Sequence, residues 1–328
     1  MGKKSWISGM ALALSLTVFG SGFASAASNQ PVKAEGISYV ALGDSLAAGQ
    51  TPYGERTGTG YADMLAGKID KAGYLGSWTK RYAYSGATSG GVLGQAAAAR
   101  DELKKADVVT VHAGANDLLG YVLPILTAAL ATGTQPAVNP AEIMSRVQTA
   151  GMNIAATVQT IKQANPEAKV LVIGYYNALP YLPESIQQSS TLPIINTLNT
   201  AIQRAAEASG ATYVDISAAF AANPFAYLPN PEDIHPNLDG YQAITGVLWS
   251  KVQPALPALK ASHILGQAEA LPLDTSRGVA NALVLAMQAQ QIIRALPASP
   301  EKTHLTARLD SLFDTIEAAR LHKQHRAG

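Results

Sequence analysis

Cysteine is absent from the 328 residues. That excludes disulfides, thiol catalysis and cysteine-bound metals, though not export. Charge is scarce: Asp, Glu, Lys and Arg make up 14% of the chain, with 24 basic against 23 acidic residues. Residues 1–26 hold two bases, Lys3 and Lys4, and no acid, so the rest carries 22 basic against 23 acidic residues. A chain this close to neutral has no electrostatic footprint for nucleic acid. Aromatic residues are 6% of the chain, and beyond residue 26 tryptophan occurs only at Trp78 and Trp249. Past the amino terminus no apolar run makes a convincing membrane span; the most apolar, Leu118 to Thr132, is short and interrupted by Pro124. What is present in quantity, 48% hydrophobic residues, suits a filled core rather than disorder.

The amino terminus has the layout of an export signal. Lys3 and Lys4 precede a mostly apolar stretch, Ile7 to Phe23, and Ala24-Ser25-Ala26 offers a small-x-small cleavage site. Residues 1–26 are therefore expected to be removed. The protein should be secreted and extracellular, begin at Ala27, and keep no membrane span. Residues 27–36 form a leading segment.

From Ile37 short apolar runs alternate with helical windows. Ser38–Leu42, Asp107–Ala113, Ala168–Gly174 and Ala211–Ile216 are strand-like, with Arg81–Tyr84 a weaker fifth. Continuous β-branched runs suit a parallel sheet covered on both faces. Ala141–Ala164 and Pro193–Ala208 carry apolar residues at helical spacing. The alternation predicts a doubly wound α/β domain over residues 37–252, with functional groups on loops at the strands' carboxyl ends. Pro254 and Pro257 predict a linker at 253–265. Beyond it, Ser276–Ala295 and a second helix starting at Ser299-Pro300-Glu301 predict a helical hairpin over 266–328.

Four polar clusters follow strands or precede a helix: Gly43-Asp44-Ser45-Leu46, Tyr84-Ser85-Gly86-Ala87, Gly114-Ala115-Asn116-Asp117, and Glu232-Asp233-Ile234-His235. Singly, each is an ordinary turn or cap. Together they supply what acyl transfer needs: a hydroxyl nucleophile, a base to take its proton, and donors for an oxyanion. Ser45 is the candidate nucleophile and His235 the candidate base. Gly86 can bring a backbone N–H close to substrate, and Asn116 can add a side-chain amide. His112 is expected to be a packed histidine, Asp44 to fix the turn at Ser45, and Asp117 to bond backbone near that turn. No metal or cofactor is implied.

With these blocks in this order, the chain resembles the GDSL, or SGNH, hydrolase family over about Ser38 to Lys251. The resemblance implies a flavodoxin-like three-layer α/β/α sandwich, here extended by carboxyl-terminal helices. It implies Ser45 as nucleophile, His235 as base, and an oxyanion hole made by the Ser45 N–H, the Gly86 N–H and the Asn116 side chain. The family usually has aspartate three residues before the histidine. Here Glu232 holds that position and Asp233 lies two before. Glu232, Asp233 or a backbone carbonyl could each orient the imidazole, with the spacing favouring Glu232 slightly.

The expected activity is carboxylic ester hydrolysis of the esterase, lipase or phospholipase kind. The loops expected after the third and fourth strands, Leu118–Leu126 and Tyr175–Pro183, and Phe225–Leu228 before the histidine, are apolar and suit an acyl chain on a small-molecule or lipid ester. Two other readings are a carbohydrate O-deacetylase, which would want more polar and aromatic platforms, and a surface interaction module binding a cell-surface partner through its helical tail.

Overall fold

The computed structural model describes Val32 and residues 34–327; the expected export signal lies outside them. Five strands, β1 (Ile37–Gly43), β2 (Leu75–Thr79), β3 (Val108–His112), β4 (Lys169–Ile173) and β5 (Thr212–Val214), form one sheet. Every pairing is parallel, in the order β2-β1-β3-β4-β5. That order is the flavodoxin-like one, and its switch point, where ligands bind, falls between β1 and β3. Central strands explain their own burial. Tyr39 to Leu42, Val108 to Val111 and Val170 to Ile173 are continuous apolar or β-branched runs, closed to solvent on both faces.

The second strand is Leu75–Thr79, not Arg81–Tyr84. It is an edge strand with a mostly exposed middle, Gly76-Ser77-Trp78, so it lacks the apolar run that marks its neighbours. Gly36 and Gly76 let the β1 and β2 backbones pass closer than a Cβ on either would allow. Arg81–Tyr84 instead makes a turn, from which the Tyr84 N–H reaches the Gly43 carbonyl at 3.3 Å.

Helices of ten residues or more are numbered here: α1 (Tyr61–Lys71), α2 (Ser89–Ala98), α3 (Ala115–Thr132), α4 (Pro140–Ala164), α5 (Leu192–Ala208), α6 (Leu238–Val252), α7 (Leu256–Glu269), α8 (Ser276–Ala295) and α9 (Pro300–Ala327). α2, α4 and α5 pack in sequence beside one another, and α1 packs on α6. The result is the doubly wound α/β fold that the alternation of elements predicts.

Two expectations give way to helix. Residues 253–265 are not a linker: Gln253–Ala255 is a turn of 3-10 helix running into α7. Pro254 and Pro257 occupy first-turn positions, where no N–H is needed, so they start helices instead of interrupting the chain. The tail is accordingly three helices, not a hairpin. Leu256 and Leu259 belong to the main core, while Ala261, Ile264 and Leu265 join α8 and α9 in a second core with Leu285, Leu305 and Leu309. His263 on α7 bonds Asp107 through Nδ1 at 2.8 Å, and the same carboxylate accepts the Ser38 N–H at 2.7 Å. Residues from Val32 onward make one compact unit. Asp107 precedes β3, so this contact lies at the amino end of the sheet.

Candidate active site

β1 ends at Gly43, whose φ of +152° and lack of Cβ are both needed, since a Cβ would lie 2.6 Å from the His112 carbonyl oxygen. A short helix, Ser45–Ala48, starts immediately, capped by Asp44, whose Oδ1 accepts the Leu46 N–H at 3.0 Å. Ser45 is thereby the first helical residue at the carboxyl edge of the sheet. Its N–H has no partner among the described residues, as expected for a first-turn donor. Asp44 is buried, and burial raises its carboxyl to about 6. It accepts the Tyr175 hydroxyl at 2.5 Å.

His235 lies between β5 and α6, 8% exposed, with Nε2 2.8 Å from the Ser45 Oγ. Asp233, not Glu232, meets the other ring nitrogen: its Oδ1 is 2.6 Å from Nδ1 and accepts the His235 N–H at 2.7 Å. Two consecutive turns explain the spacing. Asn230 Oδ1 accepts the Glu232 N–H at 3.0 Å, and Asp233, three residues on, repeats the pattern with His235. The second turn folds the Asp233 carboxylate under the ring of its own i+2 residue, and Glu232 is left exposed to solvent. With Nδ1–H donated to Asp233, Nε2 is the acceptor for the serine proton. Burial holds the imidazole below the usual histidine range, and Asp233 partly offsets that. His235 is therefore a neutral base at neutral pH.

Gly86 occupies the third position of a tight turn closed by the Ala87 N–H on the Tyr84 carbonyl at 3.3 Å, with φ +83° as a type II turn requires there. The Tyr84 bond to Gly43 seats this turn at the end of β1. Asn116, in the first turn of α3, donates from Nδ2 to the Ala87 carbonyl at 2.9 Å, which ties the second and third clusters together; the residue lines the cleft, and its second amide N–H has no partner among the described residues. Asp117 does not reach the Ser45 turn. It accepts the Ser89 N–H at 2.7 Å and the Ser89 hydroxyl at 2.6 Å, fixing the start of α2 against α3. Its charge at that helix's amino terminus is favourable.

His112 is fully buried. Its Nε2 meets the Gly174 carbonyl at 3.1 Å, and Tyr175 packs on it with ring centres 4.5 Å apart. Desolvation lowers it to about 3, so it stays neutral. Gln95 lies outside the four polar clusters. Its amide brackets Gly43, accepting the N–H at 2.8 Å and donating to the carbonyl at 2.9 Å. A glutamine one turn after Val92 on the buried face of an alanine-rich helix was the available signal.

Ser45, His235 and Asn116 open onto a cleft enclosing ≈ 800 Å³ of empty space, its mouth included. Leu118, Leu119 and Val122 of α3 form one wall, Ile194, Ile195 and Leu198 of α5 another, and Tyr175 to Leu179 the back. The Leu118–Leu126 wall is helix rather than loop, and Phe225 to Leu228 lie outside the cleft. Among the described residues no group of three or more His, Asp or Glu could hold a metal ion.

The family model for the GDSL-like lipase/acylhydrolase family matches residues 41–243, and the chain belongs to that family. It is a carboxylic ester hydrolase of the GDSL type. A lipase from a goat rumen metagenome shares its fold, at 20% identity over 65% of this chain and 96% of the other, with a TM-score of 0.51. Phospholipase A1 from Streptomyces albidoflavus NA297 aligns at 22% identity over 66% of this chain and 99% of that one, TM-score 0.48. A catalytic mutant of an acetylxylan esterase from Geobacillus stearothermophilus aligns at 17% identity over 66% and 94%, TM-score 0.47. No curated protein matches the chain.

Proposed function

We propose that the protein is a secreted esterase or lipase that cleaves esters of apolar acyl chains through an acyl-enzyme on Ser45. The observation that carries this reading is the chain of hydrogen bonds Ser45–His235–Asp233, 2.8 and 2.6 Å long, ending in a cleft walled by leucine and isoleucine. The Ser45 Oγ attacks the ester carbonyl carbon as its proton passes to His235 Nε2. Asp233 stabilises the imidazolium through Nδ1. The Ser45 N–H, the Gly86 N–H and the free N–H of Asn116 receive the oxyanion. Collapse of the tetrahedral intermediate breaks the bond to the alcohol, which leaves with the proton from His235. Water, deprotonated by the same nitrogen, then attacks the acyl-Ser45 carbonyl, and the second collapse returns the proton to Ser45 Oγ and releases the carboxylic acid.

The acyl group is assigned to the cleft because its walls are largely apolar, with Asp44 and His235 the acidic and basic side chains at its floor. Trp78 and Trp249 are not among the lining residues, so a carbohydrate finds no tryptophan to stack on there. Export rests on the layout of residues 1–26. The test is a series of p-nitrophenyl esters of rising chain length. kcat/KM should climb from acetate to medium chains. A maximum at acetate with a steady fall afterwards would favour deacetylation of small acyl groups.

A further inference from the structure

α3 breaks the usual pattern of a surface helix. From Leu118 to Ala141 there is no charged residue, so the helix is uncharged all round after Asp117. Of its eighteen residues only Leu118, Val122, Leu126 and Ala129 are buried. A helix without a charged face is ordinarily enclosed by protein or lipid. This one is long and apolar enough to cross a membrane, yet only 22% of it is buried and Leu130 is 45% exposed. Its outward threonines do not present free hydroxyls. Thr127 Oγ1 donates to the Leu123 carbonyl at 3.0 Å and Thr132 Oγ1 to the Ala128 carbonyl at 2.8 Å. Such back-bonding satisfies a hydroxyl without water.

The same uncharged character continues across the cleft. Gln135, after α3, accepts the Ser189 hydroxyl at 3.3 Å, which joins the end of α3 to the segment leading into α5. From Val170 to Gln203 the single charge is Glu184. The wall of the cleft and the bare outer surface are thus two sides of one helix, with Leu119 and Val122 inside and Ala128 and Leu130 outside.

We propose that this face, α3 with the uncharged rim beside it, is a docking surface for a zwitterionic lipid interface, against which the cleft takes up acyl chains. The choice of occupant follows from charge and continuity. An anionic surface would call for free lysine or arginine; residues 118–141 have none, and Arg146, whose guanidinium packs on the Tyr121 ring, is paired with Glu142. An ester presented at a lipid surface would need only to slide along α3 to reach Leu118 and Ser45. The proposal rests on the reading of the cleft as an acyl site.

Residues from Val32 on form one compact unit, so protein beginning at Ala27 serves for the test and removes the apolar residues 7–23 as a competing anchor. The probe is sedimentation with vesicles of ether-linked phosphatidylcholine, which offer no acyl ester to cleave. The protein should pellet with them, to the same extent in high salt and without gain from anionic lipid. An Ala128→Glu/Leu130→Glu variant, altered only at exposed positions outside the cleft, should lose roughly tenfold or more in partitioning, as expected when one apolar side chain no longer leaves water. Its turnover of p-nitrophenyl butyrate should be unchanged. Protein that stays in the supernatant, or pellets only with anionic lipid, overturns the proposal. So does concentration-dependent self-association abolished by the variant without any vesicle binding, which would make a second copy the occupant. Protein that binds vesicles but cleaves no ester refutes the acyl-site reading alone; turnover without vesicle binding refutes the docking surface alone.

Discussion

Replacing Asp233 by asparagine separates the charge of the third group from its geometry. A single oxygen, Oδ1, accepts both the His235 backbone N–H at 2.7 Å and the ring at 2.6 Å. The backbone bond should hold the asparagine oxygen in place and turn its NH2 away, so the imidazole keeps the tautomer with Nε2 free for Ser45. What is lost is the negative charge facing the imidazolium of the transition state. Two unit charges about 4 Å apart interact by about 4 kcal/mol at an effective dielectric of about 20. The Asp233 side chain is 24% exposed, which weakens this, and a neutral hydrogen bond survives. A net loss of about 1–2 kcal/mol, the difference between charged and neutral hydrogen bonds, means roughly 5- to 30-fold in kcat. Asp233→Ala, which also frees the ring to rotate, should cost about 10³- to 10⁴-fold. Glu232→Ala should change kcat less than about twofold. The sign of the pH effect is fixed as well. Asp233 raises the His235 pKa against burial, so in Asp233→Asn the imidazolium is disfavoured and the acidic limb of kcat/KM moves to lower pH. Stopped-point kinetics of the three variants on p-nitrophenyl butyrate between pH 4 and 8 decide it. A larger loss in Glu232→Ala than in Asp233→Ala, or an acidic limb that moves upward in Asp233→Asn, would refute the assignment.

Asn116→Ala should lower kcat on the order of 100- to 1000-fold with little change in KM, because its free N–H acts on transition-state charge; a pure KM effect would make it a ground-state binding group. Gln95→Leu leaves the buried N–H and carbonyl of Gly43 without their side-chain partner and should destabilise the protein by about 2–4 kcal/mol, read as a lower urea midpoint; an unchanged midpoint would show that the bracket is incidental. Removing residues 270–328 uncovers Ala261, Ile264, Leu265 and Ala268 on α7 and should lower Tm while leaving kcat on a soluble ester within about twofold, since α7 meets the sheet at the end opposite Ser45. Loss of turnover by a folded, truncated protein would show that the tail shapes the cleft.

The sequence made the central strands legible because β1, β3 and β4 are buried on both faces and must be continuously apolar. The edge strand β2 needs no such pattern, and its glycine and serine concealed it. α3 was obscured by Gly120 and Pro124, which suggest a loop. Both are exposed and four residues apart, so the carbonyl that Pro124 deprives of a donor can turn to water and the helix continues. Pro254 and Pro257 misled in the same way, since proline at a helix start and proline in a linker look alike without the structure. Ser45, His235 and Asn116, which the fold brings to one cleft, were visible because each cluster sits at a strand end or helix start. The choice between Glu232 and Asp233 was not, because it depends on two successive side-chain-to-backbone turns instead of on spacing. Gln95 and Tyr175 act on backbone and on Asp44 from distant parts of the chain, a relation that only the fold creates.

Chemical labelling of Ser45 tests the central claim most directly. A serine-directed phosphonate is added to the wild-type protein and to Ser45→Ala, and the labelled peptide is located by mass spectrometry beside the residual turnover of each. One phosphonyl group on Ser45 in the wild type, none on a folded Ser45→Ala, and loss of ester hydrolysis in that variant are the expected results. A label on another serine, or near-normal turnover by folded Ser45→Ala, would contradict the account.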